Sequence, residues 1–212
     1  RLSPPVRIMT ELQPASLIHT PKDEWVLDLG QNMVGWLRFT TTAPAGTTIK
    51  LTHGEEMQDG CFYRENLRTA KAEFTYIADG QTRIVEPYFT FFGFRYVKIE
   101  GWPGGEPDLD AFTGCVVYTE LRQIGTVETS DPLVNRLFQN ALWGQKGNFL
   151  DVPTDCPQRD ERMGWTGDAC VFSGTACFNM DSAAFFSKYL YDLAQEQQDL
   201  DGAVTNFVPS FG

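Results

Sequence analysis

The hydrophobic pattern of this chain changes its period once, near residue 130, and that change limits the fold more than any other feature. Before it, short runs alternate with a period of two between turn signals. Trp25-Val26-Leu27-Asp28-Leu29-Gly30 is one such run. In Val34 to Thr42, Trp36, Arg38 and Thr40 share one face while Leu37, Phe39 and Thr41 share the other. Ala43-Pro44-Ala45-Gly46 makes a turn into Thr47 to Gly54. Further runs lie at 72–78, 83–88, 94–100, Phe112 to Tyr118 and Gly125 to Thr129, divided by Asp79-Gly80, Gly93 and the Gly101–Pro107 cluster. Many short strands spaced by turns predict an antiparallel β-sandwich.

After residue 130 the spacing becomes helical. Asp131-Pro132 offers a capping side chain followed by a proline suited to the first helical position. Leu133, Leu137, Phe138, Ala141 and Leu142 then recur on one face. A second helix is expected over Asp168 to Phe178. A third is expected to follow a cap at Asp181, carry Ala184, Phe185, Tyr189, Leu190 and Leu193, and stop at Asp201-Gly202. Three helices with such apolar faces cannot cover one another completely, so part of that surface must meet something else. The expected organisation is an extended N-terminal segment over 1–24, a β-sandwich over 25–129 and a helical part over 130–212.

Composition narrows the function classes. The chain is 42% hydrophobic and 13% aromatic, which excludes disorder. No apolar run reaches the roughly 18 residues of a membrane span. A net charge of −11 is the wrong sign for neutralising phosphates, so nucleic acid is not an expected partner. With 16 Phe, 7 Tyr and 5 Trp, an acidic chain suits a neutral ligand. Five cysteines (Cys61, Cys115, Cys156, Cys170 and Cys177) form no C-x-x-C pair, so neither a structural zinc nor a closed disulfide framework is expected. Free buried thiols suit a reducing, cytoplasmic setting, with a secreted form as the alternative. The start at Arg1-Leu2-Ser3-Pro4-Pro5, without Met or a signal-like stretch, suggests an excised piece.

The chemistry concentrates between the first two helices. Asp151 to Asp168 holds five carboxylates, two Arg and one Trp within 18 positions, among two Pro and two Gly. Such a loop stiffens its backbone around charged groups, as a binding or catalytic site requires. Carboxylates beside an aromatic platform suit a sugar, which has an apolar face and a rim of hydroxyls. Glycoside hydrolysis needs one carboxylic acid to protonate the leaving oxygen and a second carboxylate as base or nucleophile.

Asp155-Cys156-Pro157-Gln158-Arg159-Asp160-Glu161-Arg162-Met163-Gly164-Trp165-Thr166-Gly167-Asp168-Ala169 resembles the catalytic signature of bacterial α-L-rhamnosidases of glycoside hydrolase family 78. Upstream, Asp28 to Trp36, His53-Gly54-Glu55, Tyr63-x-Glu65-Asn66-Leu67-Arg68-Thr69-Ala70 and Phe89-Thr90-x-x-Gly93-Phe94-Arg95-Tyr96 are similar to that family's β domain. Asn140 to Gln145 and Asn148-Phe149-Leu150 are similar to its first barrel helix. Thr205 stands where the family usually has a Pro. The resemblance implies a β domain followed by the first helices of an incomplete (α/α)6 barrel, and release of terminal α-L-rhamnose from glycosides with inversion. It implies Glu161 as general acid, with Asp155, Arg159, Trp165 and Asp168 binding the sugar ring. The family's general base is a Glu much later in the barrel, so the 212-residue chain is expected to be inactive without a partner supplying the missing barrel portion. No cofactor or metal is implied.

Plainer roles stand beside these. Asp168 could cap the second helix, Asp155 could form a turn, Trp165 could be core and Asp151 could brace the loop. His53 reads as structural, and Cys156 amid acids is no nucleophile. A general acid must carry its proton at working pH. Arg159 and Arg162 beside Glu161 favour its charged form, while Asp155, Asp160 and Asp168 oppose it. A pairing of Arg162 with Asp160 would resolve the conflict. Two readings from other classes remain: a sugar-binding β module using the loop from Gly60 to Arg68, and a cation site, for which the spacing of Asp151, Asp155 and Asp160 is too loose.

Overall fold

The computed structural model describes residues 3–210. The chain forms two units, one of Ile8–Val117 with Gln158–Asp160 and the other of the remaining residues.

The first unit is built on one antiparallel sheet. Its strands are β1 (Val6–Leu12), β2 (Ser16–His19), β3 (Trp25–Thr41), β4 (Thr48–Gly54), β7 (Glu73–Ile77), β8 (Arg83–Val85), β9 (Phe92–Glu100) and β10 (Phe112–Thr119). A separate hairpin pairs β5 (Glu56–Gln58) with β6 (Cys61–Tyr63). The order β1-β10-β3-β9-β4-β7, with β2 and β8 also on β3, makes the 17-residue β3 the organising strand. Trp25 to Asp28 lies between β2 and β9, whereas Gly35 to Phe39 pairs with β10 and Phe39 to Thr41 with β8. Changing partners along one strand curls the sheet. A bulge between Asp28 and Met33 accommodates the change. Gly30 there has φ +71°, and its N–H donates to the Asp28 carboxylate at 2.7 Å. Arg95 clamps that carboxylate with two hydrogen bonds of 2.8 Å, which hold it below the usual carboxylate range. Gly35 (φ +145°) is obligatory, because a Cβ would stand 1.8 Å from the Cys115 carbonyl oxygen.

The expected antiparallel β domain followed by helices is present, with three differences along the chain. The segment expected to be a linker over 1–24 supplies β1 and β2, whose backbone groups are satisfied by the sheet. The runs 25–30 and 34–42 are one strand, since Gly30 serves a bulge and not a turn. The strand expected over Gly125 to Thr129 is absent. Gly125 seats its N–H on the Asn179 carbonyl, and the Thr129 amide donates to the Asn135 side chain, so neither is available to a ladder. In the core Phe39 packs against Tyr76, Trp102 and Phe112 with centroids 6.0 Å apart. Of the strip Phe89 to Tyr96, Phe92 and Phe94 are buried, while Phe89, at φ +59°, is fully exposed. His53 is buried, stacked on Phe92 at 4.0 Å, with Nδ1 on the Ala72 carbonyl.

The second unit contains α1 (Pro132–Asn148), α2 (Thr166–Asn179) and α3 (Ala183–Asp199). Asp131 caps α1 as expected, accepting from the Leu133 N–H at 2.8 Å. Asp181 does not cap α3; Ser182 holds that position, and Asp181 faces Arg122 at 3.4 Å. Leu142, Phe149, Ala176, Met180 and Phe185 form a core with Leu121. A buried amide pair crosses it, Asn179 donating to Gln145 at 2.9 Å and Gln145 to the Ala176 carbonyl at 3.2 Å. Leu133, Leu137, Val171 and Leu190 remain 77%, 67%, 87% and 59% exposed. Among the described residues no helix is long and apolar enough to cross a membrane. Among the described residues no disulfide forms; Cys61, Cys115 and Cys156 are buried, whereas Cys170 and Cys177 lie on the exposed side of α2.

Candidate active site

The acid-rich loop leaves α1 through a tight hairpin of β11 (Phe149–Leu150) and β12 (Val152–Pro153). Asp151 at its tip has φ +68° and receives Lys188 of α3 at 2.8 Å and, on its amide, binds Thr119 at 3.0 Å. It is therefore a brace. Asp155 and Met163 then close the loop reciprocally. The Asp155 N–H donates to the Met163 carbonyl at 3.0 Å, and the Met163 N–H donates to Asp155 Oδ1 at 2.9 Å. A short pair of β13 (Gly164–Trp165) and β14 (Phe207–Val208) carries the chain into α2. The buried Tyr189 hydroxyl of α3 donates to the Gly164 carbonyl at 2.8 Å, and burial pushes that phenol up to about 12.

These constraints place the expected acid. The Trp165 indole N–H donates to Glu161 Oε1 at 3.1 Å. Trp165 cannot turn away, because its backbone pairs with Phe207 and its ring meets Phe207 edge-on at 5.2 Å. Glu161, Asp155 and Trp165 are all half-buried. Oxygens of Asp155 and Glu161 and the Cys156 sulfur lie within 4.8 Å of one another. These three are potential metal ligands, and one oxygen of each acid also accepts an N–H within the loop. An inverting pair needs roughly 6.5–9.5 Å to admit a water. Asp155 lies closer to Glu161 than that, and its Oδ1 accepts from the Met163 N–H.

A cavity of about 590 Å³ lies in the same unit, between Gly144 and Asn148 of α1 and the first turns of α2. Asp155 and the exposed Asp168 line it together. Asp168 sits in the first turn of α2, where the helix end favours an anion, but it is not the cap; Trp165 holds that position without a side-chain bond. Arg159 is half-buried and belongs with Gln158 and Asp160 to the sheet unit. The structure thus brings Glu161 to Asp155 and Trp165, and Asp155 to Asp168.

The pattern of the bacterial α-L-rhamnosidase concanavalin-like domain matches residues 18–118, and that of the bacterial α-L-rhamnosidase 6 hairpin glycosidase domain matches residues 122–212. The chain belongs to the bacterial α-L-rhamnosidase family. It is 49% identical over 211 residues to an α-L-rhamnosidase of Streptomyces avermitilis, covering 98% of this chain and 20% of that one. The structure of an S. avermitilis α-L-rhamnosidase complexed with L-rhamnose matches with a TM-score of 0.94 at 46% identity, over 100% of this chain and 20% of that one. An Aspergillus terreus α-L-rhamnosidase matches with a TM-score of 0.95 at 42% identity, over 99% and 24%. The chain therefore spans about a fifth to a quarter of the length of these relatives.

Three features of this chain were not assigned from sequence. The indole of Trp165 serves Glu161 through its N–H, a role hidden behind its aromatic face. Tyr189 supports the loop from 25 residues downstream, where helical spacing marks it only as core. The third is the partner of Asp160: where a pairing with Arg162 was one condition for a protonated Glu161, Asp160 is held by Arg68 at 3.2 Å and by Thr69 at 2.7 Å. Burial lowers the Arg162 guanidinium from its ordinary range.

Proposed function

We propose that this chain is the β domain and the opening helices of the catalytic domain of an inverting α-L-rhamnosidase that releases terminal α-L-rhamnose from glycosides. The hydrogen bond from Trp165 to Glu161, on a loop locked by Asp155 and Met163, carries the reading. Glu161 is the general acid. The indole N–H holds the carboxyl through Oε1, and Glu161 passes its proton to the departing glycosidic oxygen. Asp155, Arg159, Trp165 and Asp168 hold the ring, the acids and the guanidinium on hydroxyls and the indole against the apolar face. The base that activates water is a carboxylate on helices of the six-hairpin domain other than α1–α3. Each such group contributes about 10²–10⁴ in rate, so the 212-residue chain alone is inactive.

The test is Glu161→Gln in the full-length enzyme. Turnover of an alkyl rhamnoside, whose leaving group needs the proton, should fall at least about 100-fold. Turnover of 4-nitrophenyl rhamnoside should fall far less, and rhamnose should still bind. Equal losses on both substrates, with weakened rhamnose binding, would reassign Glu161 to holding the ring.

A further inference from the structure

We propose that Arg68 and Thr69 are positioning residues for the proton donor: a strained turn of the sheet unit that grips Asp160 and thereby fixes the chain where it enters Glu161. The inference rests on the assignment of Glu161 as general acid. Three contacts make the grip. The Thr69 hydroxyl donates to Asp160 Oδ2 at 2.7 Å, Arg68 Nε meets Oδ1 at 3.2 Å, and Arg68 Nη2 donates to the Asp160 backbone carbonyl at 3.2 Å. That carbonyl belongs to the peptide bond whose nitrogen is Glu161's, so the grip reaches the acid's own backbone. The Thr69 hydroxyl, with the Arg68 charge behind it, also holds the Asp160 carboxyl below the usual range.

The turn carries backbone strain. Arg68 has φ +55° and Ala72 φ +48°, left-handed conformations unfavourable for residues with a Cβ. Such strain persists only where the surroundings over-determine it, and here they do. Leu67 is fully buried. Arg64 bonds Glu73 at 2.8 Å and the Lys71 carbonyl at 2.8 Å. Asn66 donates to Glu55 at 3.3 Å, and the His53 N–H to the Ala72 carbonyl at 2.9 Å. All of that anchoring presents Arg68 and Thr69 outward. On the other side Gly93 of β9 admits the gripped segment. A Cβ there would stand 2.8 Å from the Gln158 Cβ and 3.0 Å from its backbone nitrogen.

Stability does not explain the arrangement, because an exposed ion pair contributes little and Asp160, Arg68 and Thr69 are all exposed. Three bonds from a rigid turn to one residue supply geometry instead. A displacement of about 1 Å in a catalytic group can lower the rate by about 10²-fold.

The experiment compares Thr69→Val, Thr69→Ser and Glu161→Gln in the full-length enzyme on an alkyl rhamnoside and on 4-nitrophenyl rhamnoside. Thr69→Val should lower kcat on the alkyl rhamnoside about 10- to 100-fold, with KM and melting temperature near wild type. On the nitrophenyl substrate the loss should be small, and Thr69→Ser should restore the alkyl activity. Gly93→Ala, which displaces Gln158 without touching the grip, should show the same leaving-group dependence. Wild-type kcat in Thr69→Val beside a leaving-group-dependent loss in Glu161→Gln would overturn the positioning role and leave the acid assignment standing. A loss in Thr69→Val that is equal on both substrates and not restored by Ser would also overturn it. Full activity of Glu161→Gln on both substrates would remove the acid itself, and is distinguishable because it does not depend on Thr69.

Discussion

At the scale of single residues, the site depends on one polar atom of an apolar ring. Trp165→Phe keeps the ring that would rest against a sugar and removes only the N–H on Glu161 Oε1. A hydrogen bond to an ionisable group is worth about 1.5–3 kcal/mol, so kcat on a rhamnoside with a poor leaving group should fall about tenfold or more. Steady-state kinetics with a rhamnose-binding titration check this; a rise in rhamnose Kd with unchanged kcat would mean that the ring face matters and the N–H does not. His53 gives a second residue-scale prediction. Burial against Phe92 lowers its imidazole to about 4, from about 6.5 when unfolded, and the Ala72 contact only partly opposes this. A group whose folded value is depressed binds its proton first in the unfolded chain. Its stabilisation is complete above about pH 6.5 and is lost as pH falls towards 4, by about 3 kcal/mol. His53→Phe should flatten the slope of unfolding free energy over that window; an unchanged slope would place its origin elsewhere. The acid-rich loop was legible in sequence, as carboxylates, Arg and Trp set among Pro and Gly. Its partners were not, because a residue's type does not say which atom it offers. Asp160 shows this best: Arg162 is near in sequence, yet Arg68 and Thr69, roughly ninety positions away, take the carboxylate.

At the scale of elements, period and caps were legible and tertiary hydrogen bonding was not. The alternation from Val34 to Thr42 and the Asp131-Pro132 start both describe what forms. The failures share a cause. Gly30 reads as a turn, but bonded to Asp28 it makes a bulge that keeps β3 continuous. Gly125 to Thr129 has a strand's composition, but its amides bind the end of α2 and Asn135. Residues 6–19 lack a strong alternation, yet β10 and β3 offer them open edges. Propensity yields wherever a distant partner satisfies the backbone better. Two substitutions test the elements themselves. Asp131→Ala should cost about 1 kcal/mol through loss of the bond to the Leu133 N–H, read as a lower denaturation midpoint with an unchanged denaturant slope. Gly35→Ala meets the Cys115 carbonyl oxygen at 1.8 Å across the β3–β10 ladder, in a backbone conformation closed to alanine. It should leave little folded protein, seen as loss of the cooperative melt; a wild-type melt would mean that β10 can shift without penalty.

At the scale of the whole molecule, the question is what covers the apolar side of α1–α3. Fully burying a Leu or Val side chain is worth about 1.5–3 kcal/mol, so covering Leu133, Leu137, Val171 and Leu190 would supply roughly 6–12 kcal/mol before their present partial burial is discounted. Bringing two separate chains together costs an estimated 4–15 kcal/mol. These side chains therefore come close to offsetting association but do not clearly exceed it. Helices joined covalently to the same domain bear no such cost, which is the arrangement expected if α1–α3 open a six-hairpin domain. The consequence is quantitative. A polypeptide carrying the further hairpins, mixed with the 212-residue chain, should restore rhamnose release only weakly, rising with the concentration of both pieces and staying well below the single full-length chain. The 212-residue chain alone should release no rhamnose and should bind an apolar dye, with dye fluorescence falling as the second piece is titrated in. Rhamnose release by the 212-residue chain alone would show that the base lies within it, against the geometry of Asp155. Dye displacement without any rhamnose release would show that the helices are covered while the second carboxylate is not brought opposite Glu161.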